Sequence, residues 1–338
     1  MYQEFYGLSE RPFELTANTR FLFLTGKQRE ALSILEYGLL SAKSLTLLIG
    51  DAGTGKTTLI HAAFESERCR GVRCVYLNNP MLSAADFVAT LADRFQLGDE
   101  AARSKSVLLA RLEEHLRQAR AAGEITALVV DEAQSLSTEL LEEIRLLANI
   151  ETPTDKLLPV VLAGQPELAE RLEEPSLRQL KQRVSLRCEL EPFTLDDTAA
   201  YVASRIHTAG GVPGKIFTQE AVRLVHERSR GIPRVINVIC DNALVSGMAL
   251  GRPRVERAMV AEVCEDLRLS QHPAYREAQT VAPAMPQIQN VEDQASAKTP
   301  VTDPAETAQP TDGGSSRFNF KFRWKTPAAL SSPAKVAE

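Results

Sequence analysis

The octapeptide Gly50-Asp51-Ala52-Gly53-Thr54-Gly55-Lys56-Thr57 leaves this chain few folds to choose from. It meets the spacing G-x-x-x-x-G-K-[ST], with Gly50, Gly55, Lys56 and Thr57 at the specified positions. The apolar run at 44–49 before it reads as a buried strand, and 58–64 after it as a helix. In that context the glycines let backbone N–H groups turn inward around phosphates, and the helix N-terminus adds partial positive charge. Gly50, Asp51, Ala52, Gly53, Thr54, Gly55, Lys56, Thr57 and Thr58 are therefore the expected cradle of a nucleoside triphosphate. Lys56 is expected to reach the β- and γ-phosphates of ATP, and the Thr57 hydroxyl to ligate Mg²⁺.

A chain of 338 residues has room for two modest domains and a tail. Its net charge of -5 gives no global bias toward nucleic acid, so that partner is not expected. The five cysteines are scattered without the paired spacing of a zinc site, and read as reduced thiols. No apolar run approaches the ~20 residues that cross a bilayer, and the first residues lack a signal-peptide layout. A cytoplasmic protein without a transmembrane segment is expected.

Residues 1–26 hold many aromatics without periodicity and are expected to pack on the core, either walling a purine pocket or simply filling space. An α/β core is read over 27–192. Its helices fall at 27–40, 83–96, 103–121 and 137–148, and its further strands at 72–77, 126–130, 158–164 and, as a half-exposed edge, 185–190. The apolar run at 127–130 enters Asp131-Glu132, the form of a buried parallel strand that ends at a site. Asp131 is expected to hold Mg²⁺ and Glu132 to act as general base toward the attacking water. Gln165, at the end of the next apolar strand, is placed to meet the γ-phosphate or that water, or else merely caps a turn.

The segment 177–184 carries Arg178, Lys181 and Arg183. It reads either as a solvated basic helix end or as the source of an arginine that reaches a neighbouring subunit's γ-phosphate, with Arg183 preferred over Arg178. From Thr194 the pattern is wholly helical, and 193–269 are read as a second domain, a helical lid. There Gly231-Ile232-Pro233-Arg234 opens a helix and aims Arg234 at an approaching phosphate. Residues 270–338 are rich in Pro, Ala, Thr and Gln and read as a disordered tail. Within it, the basic-aromatic island 317–325 has the alternation of an extended strand suited to a partner's sheet edge or an anionic membrane surface.

Taken in order, Gly50–Thr57, Leu128–Glu132, Gly164–Leu168, the 178–184 segment and Gly231–Arg234 resemble the motif series of an AAA+ ATPase. The entry Phe5-Tyr6-Gly7-Leu8 with Pro12-Phe13 and Phe21-Leu22-Phe23 resembles one branch, the general secretion pathway ATPase A (ExeA-like) group and its MSHA-pilus biogenesis relative. The resemblance covers about residues 1–268. It implies a P-loop NTPase (AAA+) parallel-sheet core with an all-helical lid. Lys56 and Thr57 then belong to Walker A, Asp131 and Glu132 to Walker B, Gln165 to sensor 1, Arg183 to the finger region and Arg234 to sensor 2. Longer members of that branch continue through a membrane helix into a peptidoglycan-binding domain; neither is read in this sequence, so direct peptidoglycan binding is not expected.

The resulting expectation is an oligomer-dependent ATPase that drives assembly of a secretion or pilus machine, in the cytoplasm or at the periphery of the inner membrane. Its expected partners are further copies of itself and an assembly protein, reached in one version through the tail. Two alternatives stand beside it: a DNA-associated AAA+ regulator of transposition or helicase-loader type, and a slow ATP switch serving as an interaction platform.

Overall fold

In the computed structural model, residues 1–269 are described, apart from 17, 42, 79–82 and 154. The tail 270–338, with the island 317–325, lies outside the described residues. The chain divides into two units, Met1–Val281 and Ala282–Glu338, and every described residue belongs to the first.

Five strands form one sheet: β1 (Leu45–Gly50), β2 (Val72–Leu77), β3 (Ile125–Val130), β4 (Val160–Gly164) and β5 (Val184–Leu190). Their order is β2-β3-β4-β1-β5, and all four neighbouring pairs are parallel. Parallel strands need crossovers that bury both faces of the sheet. The sequence complies, because β1 and β4 are buried at every position. Alternate residues then serve opposite faces. Leu128 and Val130 join the helices Ala84–Arg94, Lys105–Ala121 and Thr138–Leu147 in one cluster. Ala127 and Val129 join the helices Gly26–Leu40 and Lys56–Glu65 in the other. Each fully buried leucine or valine contributes about 1.5–3 kcal/mol. At the edge, β5 alternates between exposed residues and half-buried or buried ones, as an outer strand with one covered face must.

Thr25 begins the helix Gly26–Leu40 with a reciprocal capping box to Gln28. Thr194 does the same with Asp197 for Leu195–Thr208, the first helix after the sheet. The helices Gln219–Ser229, Pro233–Ala249 and Arg257–Asp266 follow, packed around Ile236, Ile239, Leu244 and Val260.

The amino-terminal aromatics, expected on the α/β core, pack mainly on the C-terminal helices, although the turn Thr19–Phe21 also meets the core helix Lys56–Glu65. Tyr2, Leu8, Phe13 and Phe21 are buried among the C-terminal helices. Both faces of the sheet are already covered by their own crossover helices, whereas a bundle this small needs extra apolar surface to complete its core. Polar contacts fix the strap. Ser9 Oγ donates to Ala209 O at 2.9 Å and Tyr6 to Arg252 O at 3.2 Å. The buried Arg205 guanidinium donates to the carbonyls of Pro12 and Glu14 and lies 4.8 Å over the Phe21 ring.

Gly231, at the turn into Pro233–Ala249, has φ +72°, and a Cβ there would sit 2.0 Å from Phe193 O. Gly231→Ala should therefore cost about 3 kcal/mol through left-handed strain and overpacking. Urea unfolding checks this, and an unchanged midpoint would refute the steric argument.

Candidate nucleotide site

Because the strands are parallel, the carboxyl ends of β1, β4 and β3 lie side by side. Ile49 pairs with Gly164, and Val130 with Leu162. Gly50, Gln165 and Asp131 consequently emerge from one edge of the sheet, the place where open α/β sheets bind ligands.

Lys56 opens the helix Lys56–Glu65, and its ammonium is nearly enclosed. Nζ donates to Gly50 O at 2.7 Å and Asp51 O at 3.1 Å. Burial lowers its pKa, and the surrounding Glu132, Asp131 and Asp51 oppose that shift. Thr57, one residue on, donates to Asp131 Oδ2 at 2.6 Å. Tyr76 of β2 donates to the same oxygen, also at 2.6 Å, while Oδ1 accepts the Glu132 N–H at 2.9 Å. Burial, and then the bond to Asp131, raise the Tyr76 pKa, so its phenol remains a donor.

Glu132 has φ +53°, a conformation unusual for a residue other than glycine. Its Oε2 accepts Gln134 Nε2 at 2.6 Å and Gln165 Nε2 at 3.2 Å. Gln134 Oε1 in turn accepts the Gln165 N–H at 3.1 Å. One amide thus links the end of β4 to the carboxylate after β3. Arg171 supports the loop from behind, donating to Gln134 O at 2.8 Å and Leu136 O at 2.6 Å.

A cavity of about 340 Å³ opens in front of these groups. Its floor is Gly53–Thr58 with Glu132. Phe21–Leu24 and Gln28 of the amino-terminal segment and Tyr201, Arg205, Arg234 and Asn237 of the helical bundle also line it, and the two groups touch where Arg205 lies over Phe21. The amino-terminal strap therefore both completes the helical bundle and walls the cavity. Lid and loop meet closely, with Arg234 N–H donating to Gly53 O at 3.2 Å.

Most of the residues singled out in the sequence thus come together. Gly50 and Asp51 lie under the Lys56 ammonium, Gly53–Thr58 face the cavity, and Gln165 stands behind Glu132. Ala52 is exposed on the loop. Arg183 and Arg178 are exposed, and neither is among the residues that line this cavity. Tyr76, Gln134, Arg205 and Asn237 escaped the sequence reading. Only Gln134 carried a local signal, its closeness to Asp131-Glu132; the others act through contacts distant in sequence.

Triphosphate and metal fit these groups. A Cβ at Gly53 would lie 2.7 Å from Arg234 Cβ, and one at Gly50 would lie 2.8 Å from Thr54 Oγ1, so only glycine lets the loop pack this closely. A hydroxyl and a buried carboxylate oxygen 2.6 Å apart provide the hard oxygen donors that magnesium requires. Among the described residues no helix is long and apolar enough to cross a membrane.

Residues 39–172 match a protein family described as an AAA domain. General secretion pathway protein A of Aeromonas hydrophila is 42% identical over 255 residues, which are 75% of this chain and 46% of that protein. The chain thus spans about half the length of that relative. Among solved structures, Cdc6p from Pyrobaculum aerophilum superposes with a TM-score of 0.59 at 19% identity, over 78% of this chain and 70% of that one. A Drosophila ORC structure bound to DNA gives 0.60 at 18%, over 83% and 69%. At such identities these two likenesses carry the fold alone.

Gly53 has φ +83°. Gly53→Ala should strain the loop and push Arg234 away, weakening a fluorescent ATP analogue about tenfold or more. Titration against the wild type measures this; equal affinity would refute the cradle.

Proposed function

We propose that this chain, which belongs to the ExeA-like AAA+ ATPases, binds Mg²⁺·ATP between its sheet edge and helical lid and hydrolyses it to drive assembly of a secretion or pilus machine. One observation carries the hydrolytic reading: a buried lysine, a threonine–aspartate pair and a glutamate held by two amides converge on one edge of a parallel sheet. The name of the Aeromonas relative supports the secretion part.

In this reading Lys56 exchanges the carbonyls of Gly50 and Asp51 for β- and γ-phosphate oxygens. Thr57 and Asp131 would hold Mg²⁺, which would supply positive charge against the negative charge of the phosphates. Glu132 takes a proton from the attacking water, whose oxygen bonds to the γ-phosphorus as the bridge to the β-phosphate breaks, leaving ADP and phosphate. Gln165 orients that water or the γ-phosphate, and Arg234 reports the γ-phosphate to the lid. Arg183, exposed beyond the helix Arg178–Lys181, serves the site of a neighbouring copy. Each site is then complete only in an oligomer. Because ATP is its fuel, we place the protein on the cytoplasmic side of the membrane, with the assembly protein as its second partner.

Glu132→Gln should retain ATP binding and lower turnover about 100-fold or more. An unaffected rate would remove Glu132 as the base. Arg183→Ala should likewise spare binding and lower turnover about 100-fold or more. Mixing the two inactive variants should restore part of the activity, because some interfaces then pair an intact Glu132 with an intact Arg183. No recovery, with oligomers formed, would refute the assignment in trans.

A further inference from the structure

The end of β2 contributes no residue to the phosphate loop, yet it holds Asp131 at two points. Asp131 N–H donates to Leu77 O at 3.0 Å, which extends the β2–β3 ladder by one bond. The Tyr76 hydroxyl donates to Asp131 Oδ2 at 2.6 Å. The Tyr76 ring is itself braced by His61 of the helix Lys56–Glu65, with centroids 5.8 Å apart and planes at 79°. The phenol therefore has a fixed direction.

A half-buried phenol needs only some acceptor, water or a backbone carbonyl included. This one takes the very oxygen that also accepts the Thr57 hydroxyl. Thr57 and Tyr76 together leave that carboxylate little freedom to rotate, while Oδ1 is occupied by the Glu132 N–H. Carboxylates that hold metals, directly or through water, depend on such outer partners to keep their orientation.

We infer that Tyr76 is a positioning residue for the metal site: its hydroxyl orients Asp131 so that Asp131 and Thr57 present their oxygens together to a divalent cation. This rests on the reading of Thr57 and Asp131 as the magnesium site. Tyr76 is not among the residues that line the nucleotide cavity, so the role assigned to it runs through Asp131. The Tyr76 hydroxyl sets how much magnesium the site requires, and the affinity for nucleotide without metal is independent of it.

The test uses the full-length protein and a fluorescent ATP analogue, titrated in EDTA and then with increasing Mg²⁺. Mn²⁺ bound in the presence of nucleotide is followed in parallel by electron paramagnetic resonance. Tyr76→Phe removes one oxygen and retains the ring against His61. It should raise the Mg²⁺ midpoint and weaken Mn²⁺ about tenfold, with affinity in EDTA within about twofold of wild type and turnover recovering at high Mg²⁺. An unchanged Mg²⁺ midpoint, or an equal loss of affinity in EDTA, would overturn the inference. Asp131→Asn separates the two levels. If wild type gains no affinity from Mg²⁺ and Asp131→Asn matches it, the metal-site reading fails and the inference with it. If wild type depends on Mg²⁺ and Asp131→Asn does not, while Tyr76→Phe behaves as wild type, the inference alone fails.

Discussion

Parallel pairing of β4 between β1 and β3 is the constraint on which the rest of this structure depends. It brings three chain segments, far apart in sequence, out of one sheet edge: the loop after Gly50, the pair Asp131-Glu132 and Gln165. Asp131 would not meet Thr57, nor Gln165 meet Glu132, without that alignment. A slip of one residue in β3 would exchange the two buried faces and move Asp131 off Thr57. Burial on both faces opposes such a slip, since Leu128 and Val130 are committed to one cluster and Ala127 and Val129 to the other.

On this edge the polar groups form two linked sets. Asp131 gathers three donors: Thr57 of the loop helix, Tyr76 of β2 and its own neighbour's backbone. Glu132 gathers two side-chain amides, and Gln134 ties it to the end of β4. In a low-dielectric setting such networks are strong only when every member is satisfied. The left-handed backbone at Glu132 is the local cost of turning adjacent carboxylates in different directions.

The second feature of the site is that its outer wall belongs to the helical bundle. Arg234 meets Gly53 through the backbone, while Arg205 holds Pro12 and Glu14. The amino-terminal strap therefore follows the helices it completes, and Phe21–Leu24 reach the cavity with them. The aromatic run at 1–23 announced a packed segment, but which surface it covered depended on which surfaces the crossover helices had left open.

Local pattern alone established the glycine-rich loop, the buried strands, the capped helices and the carboxylates after β3. Each of these is written within a few residues, as spacing, periodicity or an apolar run ending in charge. Gln134 lay two residues from Glu132, yet nothing local said that its amide would turn back toward that carboxylate and toward Gln165. Tyr76 lay in an ordinary strand pattern and Arg205 in a helical one, and neither stood out, because their partners Asp131 and Pro12 are distant in sequence. Sequence periodicity decides which face a side chain takes, and that much was legible. Which polar group waits on that face is decided only when strand order and helix packing bring remote segments within hydrogen-bonding distance.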